Sequence, residues 1–204
     1  MYTPNHFKQP DEAVTKSFIR ENGFGTLISQ VEGSLWASHI PMQLSADGSI
    51  LSGHVSRGNK SWKSFENANE VLAIFQGPHT YISSSWYDHQ NVPTWNYIAV
   101  HVYGSIRTIE GEELYQSLKD LLDTYEAHVE HPVTMESLSD EYVNQNLRAL
   151  VGFQIEISRM EASYKLSQNR DAKNHQSIIK HLEQSNDANA HAIANEMKKH
   201  HPKN

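Results

Sequence analysis

Six consecutive positions, 56–61, carry side chains suited to binding a phosphate group. The segment reads Ser-Arg-Gly-Asn-Lys-Ser and supplies two cations, two hydroxyls, an amide and a glycine. It lies between a predicted strand at 50–55 and a predicted short helix near 61–67, and the start of a helix offers free N–H groups to an anion. Arginine and lysine would add charge-assisted hydrogen bonds. The alternative is a solvated polar loop, so this segment alone leaves both interpretations open.

A second chemically distinctive group of residues is aromatic and lies between positions 81 and 103. The large rings in this stretch are Tyr81, Trp86, Tyr87, Trp95, Tyr97 and Tyr103. Rings of this size are usually buried or stacked, because exposing them wastes their apolar area. A loop that serves only as a connection would instead be rich in Gly, Ser and Asp. The stretch 75–104 is therefore the part of the chain on which a functional interpretation depends most.

The long strand predicted to begin at Thr94 sorts its side chains into two faces, because side chains alternate along a strand. One face is aliphatic and consists of Ile98, Val100, Val102 and Ile106. The other face is aromatic and polar and consists of Trp95, Tyr97, His101, Tyr103 and Arg107. This polar face suits a flat heteroaromatic ligand or a polar subunit interface. The alternative is an aromatic girdle that closes the core of a twisted sheet.

Histidines are numerous, but their spacing indicates neither a metal site nor a catalytic group. His128 and His131 have HxxH spacing, yet Pro132 follows directly and no third ligand with matching spacing is present. We interpret them as residues of a helix end and a loop. The histidines of the polar tail are expected to be solvated: His175, His181, His191, His200 and His201. No pairing of a nucleophile with a base is recognisable, so no catalytic residue is assigned.

Composition narrows the class of protein. The 204 residues suffice for one hydrophobic core, or for one domain with an appendage. The chain has no cysteine, which excludes disulfides and suits a reducing compartment. Neither a secretory signal nor a membrane-spanning apolar run is visible, so a soluble, cytoplasmic protein is expected. The net charge of −7 argues against a large DNA footprint, although a local basic patch would still allow DNA binding.

Local patterns predict a mainly β protein with helices (α+β). A short amphipathic helix is expected at 11–22. Strands are expected at 25–30, 35–40, 50–55, 70–75, from Thr94, and at 151–157, with tight turns at Glu32–Gly33 and Asp47–Gly48. A further turn is predicted at Gly77–Pro78, before a short strand at 81–82. So many short strands joined by tight turns imply a small closed barrel.

Two regions change to helical periodicity. A helix from Glu112 carries an apolar stripe and should pack on the barrel, and a second helix is expected at 139–150. The polar tail from Asn169 has few apolar positions, so its helix is expected on the surface or across a partner subunit. We therefore predict a domain at 1–168 with a helical insert at about 112–149, followed by a C-terminal helical extension at 169–204.

The chain resembles the PaiB family of FMN-binding negative transcriptional regulators. The matching motifs span nearly the whole chain and are MYTP at 1–4, SHIP at 38–41, GHVSRGN at 53–59, FQGPHTYIS at 75–83, SWY at 85–87, VPTWNY at 92–97, AVHVYG at 99–104 and KLSQNR at 165–170. The resemblance implies the FMN-binding split barrel of pyridoxamine-phosphate-oxidase-like flavoproteins. It also implies a homodimer that binds FMN non-covalently at the subunit interface.

The resemblance also implies a set of FMN-binding residues. The phosphate would be held by Ser56, Arg57 and Lys60, with Asn59 and His54 in the same shared motif. The strand with Ser38, His39 and Ile40 would run beside the ring system and offer it backbone groups. Trp95 and Asn96 would contact the partner subunit.

The chain differs from the oxidase branch of this fold at position 99. Members of the oxidase branch carry a glutamine near this place, whereas this chain has Ala99. Cations for a substrate phosphate are not recognisable either, which argues against pyridoxine chemistry.

Three functions are compatible with these features. The first is a homodimeric FMN-binding repressor of the PaiB type, in which repression follows from the resemblance alone, because no helix-turn-helix is visible. The second is an FMN-dependent oxidoreductase, either a reductase or an oxidase, with an unknown small-molecule substrate. The third is haem binding or breakdown, which ranks last because no axial ligand can be chosen.

Overall fold

The computed structural model describes residues 1–67 and 70–200. They divide into two compact units. The first unit comprises Met1–Thr15, Gln76–His101 and the chain from Glu161 onward, and the second comprises Lys16–Phe75 and Val102–Met160. Within the described ranges, no helix has the length and apolar character needed to cross a lipid bilayer.

Six strands form a closed barrel, which confirms the predicted fold class. They are β1 (Phe24–Val31), β2 (Ser34–Leu44), β3 (Ile50–Ser56), β4 (Val71–Ile82), β5 (Thr94–Ile109) and β6 (Leu150–Lys165). Their order around the barrel is β1-β2-β3-β6-β5-β4. The pairs β1–β2, β1–β4, β2–β3 and β3–β6 are antiparallel. The late strand β6 therefore joins β3, as expected for a strand that closes the barrel.

The tight turns explain the register of the first three strands. Glu32 and Gly33 both have positive φ, at 51° and 80°, which is the backbone of a two-residue hairpin turn. In the next turn the Asp47 carboxylate accepts hydrogen bonds from the hydroxyls of Ser45 and Ser49 and from the Ser49 N–H. The Ser45 bond is the largest cause, and together these bonds lower the pKa of Asp47 to about 2.

The barrel interior is aliphatic and aromatic. Val100, Val102 and Phe153 are fully buried. Phe65 lies in the 3₁₀ segment Lys60–Asn67 and packs edge-on against Phe153, with ring centroids 5.7 Å apart. This contact anchors the segment that follows the predicted phosphate loop. The aliphatic face predicted for β5 is thus confirmed as an interior face.

The glycine of the AVHVYG motif, Gly104, is required because two strands approach each other closely there. A Cβ at Gly104 would lie 2.1 Å from the carbonyl oxygen of Glu156. No side chain fits there, so any substitution of Gly104 would push β5 away from β6.

The predicted turn at Gly77–Pro78 is wrong. β4 runs without interruption from Val71 to Ile82 and passes through both residues. The change of unit falls between Phe75 and Gln76, so the turn-forming pair lies within strand that continues into the first unit. Similarly, β6 extends to Lys165 rather than ending at Ile157.

The helices predicted at 11–22, from Glu112 and at 139–150 are confirmed in position. α1 spans Glu12–Glu21, α2 spans Gly111–Glu126 and α3 spans Asp140–Ala149. α2 packs on the barrel at its first turn, where the Leu114 side chain lies close to Gly152. The rest of its apolar stripe is only half-buried.

The tail forms two helices, α4 (Ala172–Glu183) and α5 (Ala188–Lys199), where one helix was predicted on the surface or across a partner subunit. Their apolar side chains are buried within their own unit: Ile178, Ile179, Leu182, Ala190, Ile193, Ala194 and Met197. His175 is also buried, at 2% exposure, so its expected solvation is wrong. His181 stacks on Trp86 at 5.0 Å, and His201 lies outside the described residues.

Candidate cofactor-binding site

Arg57 fastens the predicted phosphate loop to the junction of α3 and β6. Its Nε donates to the carbonyl oxygen of Arg148 at 2.8 Å, and its Nη2 donates to that of Leu150 at 3.0 Å. Its own backbone N–H donates to the Ala149 carbonyl. These bonds engage one edge of the guanidinium, which is planar and carries further donors at Nη1. Arg57 therefore has a structural role that the sequence did not reveal. Its Nη2 also pairs with Glu110 Oε1 at 4.0 Å. Within the described residues no hydrogen bond engages Nη1, which leaves that side of the fork for a ligand.

Asn59 connects this loop to β2. Its Nδ2 donates to the hydroxyl of Ser38 at 2.9 Å, and its Oδ1 accepts from the N–H of Ser61 at 3.0 Å. The Ser56 hydroxyl accepts from the N–H of Gly58. The structure thus brings together Ser38 and Asn59, two predicted cofactor-binding residues from different motifs.

The end of the loop carries a cation and an unsatisfied hydroxyl. Lys60 is exposed. Ser61 is 1% exposed, and its hydroxyl has no hydrogen-bond partner among the described residues. A buried hydroxyl without a partner is costly, so this loop retains donor capacity that a bound anion or water could satisfy. Together with the free side of Arg57, this donor set fits the phosphate end of FMN.

The remaining candidates on β2 and β3 alternate between two faces. Ser38 and Ile40 are buried, whereas His39 is exposed and hydrogen-bonds through Nδ1 to the hydroxyl of Thr26 at 2.9 Å. His54 lies half-buried on β3, on the same face of the strand as Ser56. Burial lowers the pKa of His54 from its ordinary value. A neutral His54 can take part in hydrogen bonds but adds no positive charge for a phosphate.

Trp95 and Asn96 occupy opposite environments within the first unit. Trp95 is 53% exposed and meets Tyr81 edge-on, with ring centroids 6.0 Å apart. Asn96 is fully buried; its Oδ1 accepts from the Ser167 hydroxyl, and its Nδ2 points to the Met197 sulfur. Trp95 is therefore available to a partner subunit. Asn96 is enclosed by its own chain, which disfavours the predicted subunit contact at that residue.

The polar face of β5 is largely engaged in protein contacts where it lies in the second unit. The Arg159 guanidinium sits over the Tyr103 ring at 3.7 Å and pairs with Glu70. Arg107 pairs with Glu113 through two hydrogen bonds and also contacts Gln154. For these two positions the geometry supports the structural alternative over a ligand-binding face.

Sequence reasoning missed Thr26. Thr26 lies opposite His39 in the β1–β2 register, and the two-residue turn at 32–33 would have been enough to derive that pairing. No local signal marks the Ser61 hydroxyl as unsatisfied. Among the residues described, no three His, Asp or Glu side chains converge as a metal site would require.

Comparison with known proteins extends these observations. The family described as "Putative FMN-binding domain" matches residues 1–159. The chain is also 40% identical over 199 residues to the protein named "Protease synthase and sporulation protein PAI 2" of Bacillus subtilis, covering 97% of this chain and 96% of that protein.

Solved structures share the fold at low sequence identity. A conserved hypothetical protein from Mycobacterium tuberculosis matches with a TM-score of 0.61 at 15% identity, over 84% of this chain and 94% of that one. An FAD- and haem-binding protein from Mycobacterium smegmatis matches with a TM-score of 0.59 at 13% identity, over 83% and 78% of the two chains. The barrel, the match over residues 1–159 and the identity along nearly the full length of PAI 2 together lead to one assignment: the chain belongs to the PaiB family of FMN-binding split-barrel proteins.

Proposed function

We propose that this protein is a homodimer that binds FMN through the 56–61 loop and acts as a negative regulator of transcription. The observation that carries the flavin part is the donor set of this loop. It combines the free side of the Arg57 guanidinium, the exposed Lys60 and the unsatisfied hydroxyl of Ser61. When bound, FMN brings a redox-active ring and an anionic phosphate, and the protein's part is to hold and orient it.

Two side-chain hydrogen bonds support a rigid site. Asn59 ties the loop to Ser38 on β2, and Thr26 orients the ring of His39 on the same strand. The backbone at 38–40 would run beside the flavin ring system, with the phosphate at the loop. Because these partners are held before ligand arrives, less conformational entropy is lost on binding.

The homodimer is supported by exposed rings in the first unit. Trp95 and Tyr81 are 53% and 47% exposed and contact each other. Aromatic residues are enriched where subunits meet, and an exposed aromatic pair of this size is costly in a monomer. A subunit interface that covers Trp95 accounts for its exposed position on β5.

The regulatory role is supported by the likeness to PAI 2, whose name associates that protein with protease synthase and sporulation. The net charge of −7 favours regulation through a protein partner over a broad electrostatic contact with DNA. The proposal therefore does not require the chain to contact DNA itself.

The direct test is an FMN titration of the full chain, followed by flavin fluorescence, combined with sedimentation equilibrium. We expect saturable binding and a mass of two chains. Lys60→Gln should weaken FMN binding about tenfold, since a hydrogen bond to a charged group contributes about 1.5–3 kcal/mol and about 1.4 kcal/mol is tenfold in affinity. Lys63→Gln is the matched control, because Lys63 is an exposed cation in the same segment.

Four outcomes would contradict the proposal. Unchanged affinity in Lys60→Gln would remove Lys60 from the site, and equal losses in both variants would indicate a general charge effect. Bleaching of bound flavin by NADH or NADPH, followed by reoxidation in air with turnover, would favour the oxidoreductase instead. For the regulatory part, deletion of the gene should raise transcription of its targets, and unaltered transcription genome-wide would overturn it.

A further inference from the structure

The two helices of the insert line an apolar groove. α2 and α3 line a cavity of about 320 Å³. Its walls include Leu118, Leu121 and Tyr125 from α2 and Tyr142, Val143 and Leu147 from α3. This volume is comparable to that of small-molecule and peptide-anchor pockets, but it offers almost no polar groups with which to orient a small polar ligand.

The groove is left open by the described part of its own chain. Both helices are described throughout; α3 has no buried side chain, and α2 has Leu114 alone. Tyr125 and Tyr142 are 53% and 55% exposed. An amphipathic helix normally buries its apolar stripe, so a stripe left open on two adjacent helices marks a surface that binds another molecule.

The insert that forms this groove is acidic. Positions 111–150 contain nine acidic residues but only Lys119 and Arg148 as cations, so their net charge of −7 equals that of the whole chain. Lys119 is paired with Asp123 at 3.0 Å and with Glu136 at 3.1 Å. The groove is therefore apolar and lies on an insert with a strongly negative net charge.

This charge discriminates between the classes of occupant. A second copy of the same face would bring like charges together, because a two-fold interface places the same patch on both subunits. A membrane surface with anionic lipids would be repelled for the same reason. A cationic amphipathic helix satisfies both features, since apolar anchors at i, i+3 or i+4, and i+7 fill such a groove while Lys and Arg are attracted by the negative charge of the insert.

We propose that the α2–α3 groove is the docking site for a basic amphipathic helix of a partner protein. The groove binds the apolar face of that helix, and the acidic insert selects for positive charge. Docking needs no flavin, so it is separable from the proposed function. It provides a route by which an acidic regulator acts through a basic partner.

The test uses a fluorescein-labelled 18-residue synthetic helix with leucines at i, i+4 and i+7 and lysines on both flanks, titrated into the full-length protein and followed by anisotropy. We expect binding that weakens with added salt, because salt screens the exposed charges. The same peptide with every lysine replaced by glutamate should bind at least tenfold more weakly. FMN titrations with and without the peptide should agree.

Variants locate the site. Val143→Gln should weaken peptide binding at least fivefold, and the pair Asp140→Asn with Glu141→Gln should weaken it and flatten its salt dependence. Leu35→Gln is the control, because Leu35 is a 77% exposed leucine of the β2 strand and should leave binding unchanged. Should a groove variant fail to fold, photo-crosslinking of a benzophenone-labelled peptide to the unmodified protein should map to 118–147.

The proposal is overturned if the glutamate peptide binds as tightly as the lysine peptide, if Leu35→Gln weakens binding as much as Val143→Gln, or if crosslinks fall outside the two helices. It is also overturned if Val143→Gln changes the mass in sedimentation equilibrium, because the occupant would then be a second copy of this chain. If the protein binds the peptide but does not bind FMN, only the flavin proposal is contradicted.

Discussion

Asn59 donates a hydrogen bond to the hydroxyl of Ser38, which lies 21 positions earlier in the sequence. One of these residues sits in a loop after β3 and the other sits on β2, and both belong to motifs that predicted cofactor binding. The bond is half-buried, so breaking it leaves polar groups that water can only partly satisfy. It joins the loop that would bind the phosphate to the strand that would flank the ring.

This relationship predicts energetic coupling between the two residues. Asn59→Ala and Ser38→Ala should each lower the free energy of unfolding by about 1–2 kcal/mol in urea titrations. The double variant should lose less than the sum of the two, since residues in one hydrogen bond act together. Both single variants should also weaken FMN binding. Additive losses would show that the bond contributes little.

Substitution of Arg57 is expected to lower both the stability of the fold and the affinity for FMN. Arg57→Ala removes two hydrogen bonds to carbonyl oxygens at 148 and 150, so the free energy of unfolding should fall by about 1–3 kcal/mol. FMN affinity, measured well below the unfolding temperature, should fall at least tenfold. If the variant is destabilised yet binds FMN as tightly as the parent, Arg57 is a structural residue and its assignment to the phosphate is wrong.

The burial of His54 predicts that the stability of the fold decreases at acidic pH. Burial holds its pKa below the ordinary value of 6.5. The unfolded chain therefore binds more protons at this residue than the folded chain does, so the stability it contributes is complete above pH 6.5 and declines as the pH falls through that value. In NMR titrations the His54 ring should show a midpoint below 6.5, and His54→Gln should flatten the acid side of the stability profile. A midpoint at or above 6.5 would contradict this.

Trp95 predicts the location of the subunit interface. Trp95→Ala should raise the dimer dissociation constant at least tenfold in sedimentation equilibrium, because a buried interface tryptophan commonly contributes 2 kcal/mol or more, about thirtyfold. Trp36→Ala provides the comparison, since Trp36 is also an exposed tryptophan, at 38% exposure. An unchanged mass distribution in Trp95→Ala, or an equal effect of Trp36→Ala, would place the interface elsewhere.

Features set by near neighbours could be predicted from the sequence. The pair Glu32–Gly33 specifies a two-residue turn, and that turn alone sets the register that places Thr26 opposite His39. Alternation along β5 identified its interior face, and the same alternation would have placed Asn96 on that face. The candidate loop at 56–61 was selected from residue types alone, because cations and hydroxyls are the groups that bind a phosphate.

Features that depend on distant parts of the chain were decided by the tertiary structure. Gly77–Pro78 has the composition of a turn, yet it lies within β4 because the strand continues into the first compact unit. The tail helices look too polar to be buried, but each needs only one apolar face, and the side chains of that face are buried. Arg57 hydrogen-bonds to carbonyl oxygens more than 90 positions away, and the apolar stripe of α2 stays largely open beside α3. Local sequence specifies which faces are apolar and where the chain can turn, whereas long-range packing determines which of those faces are covered.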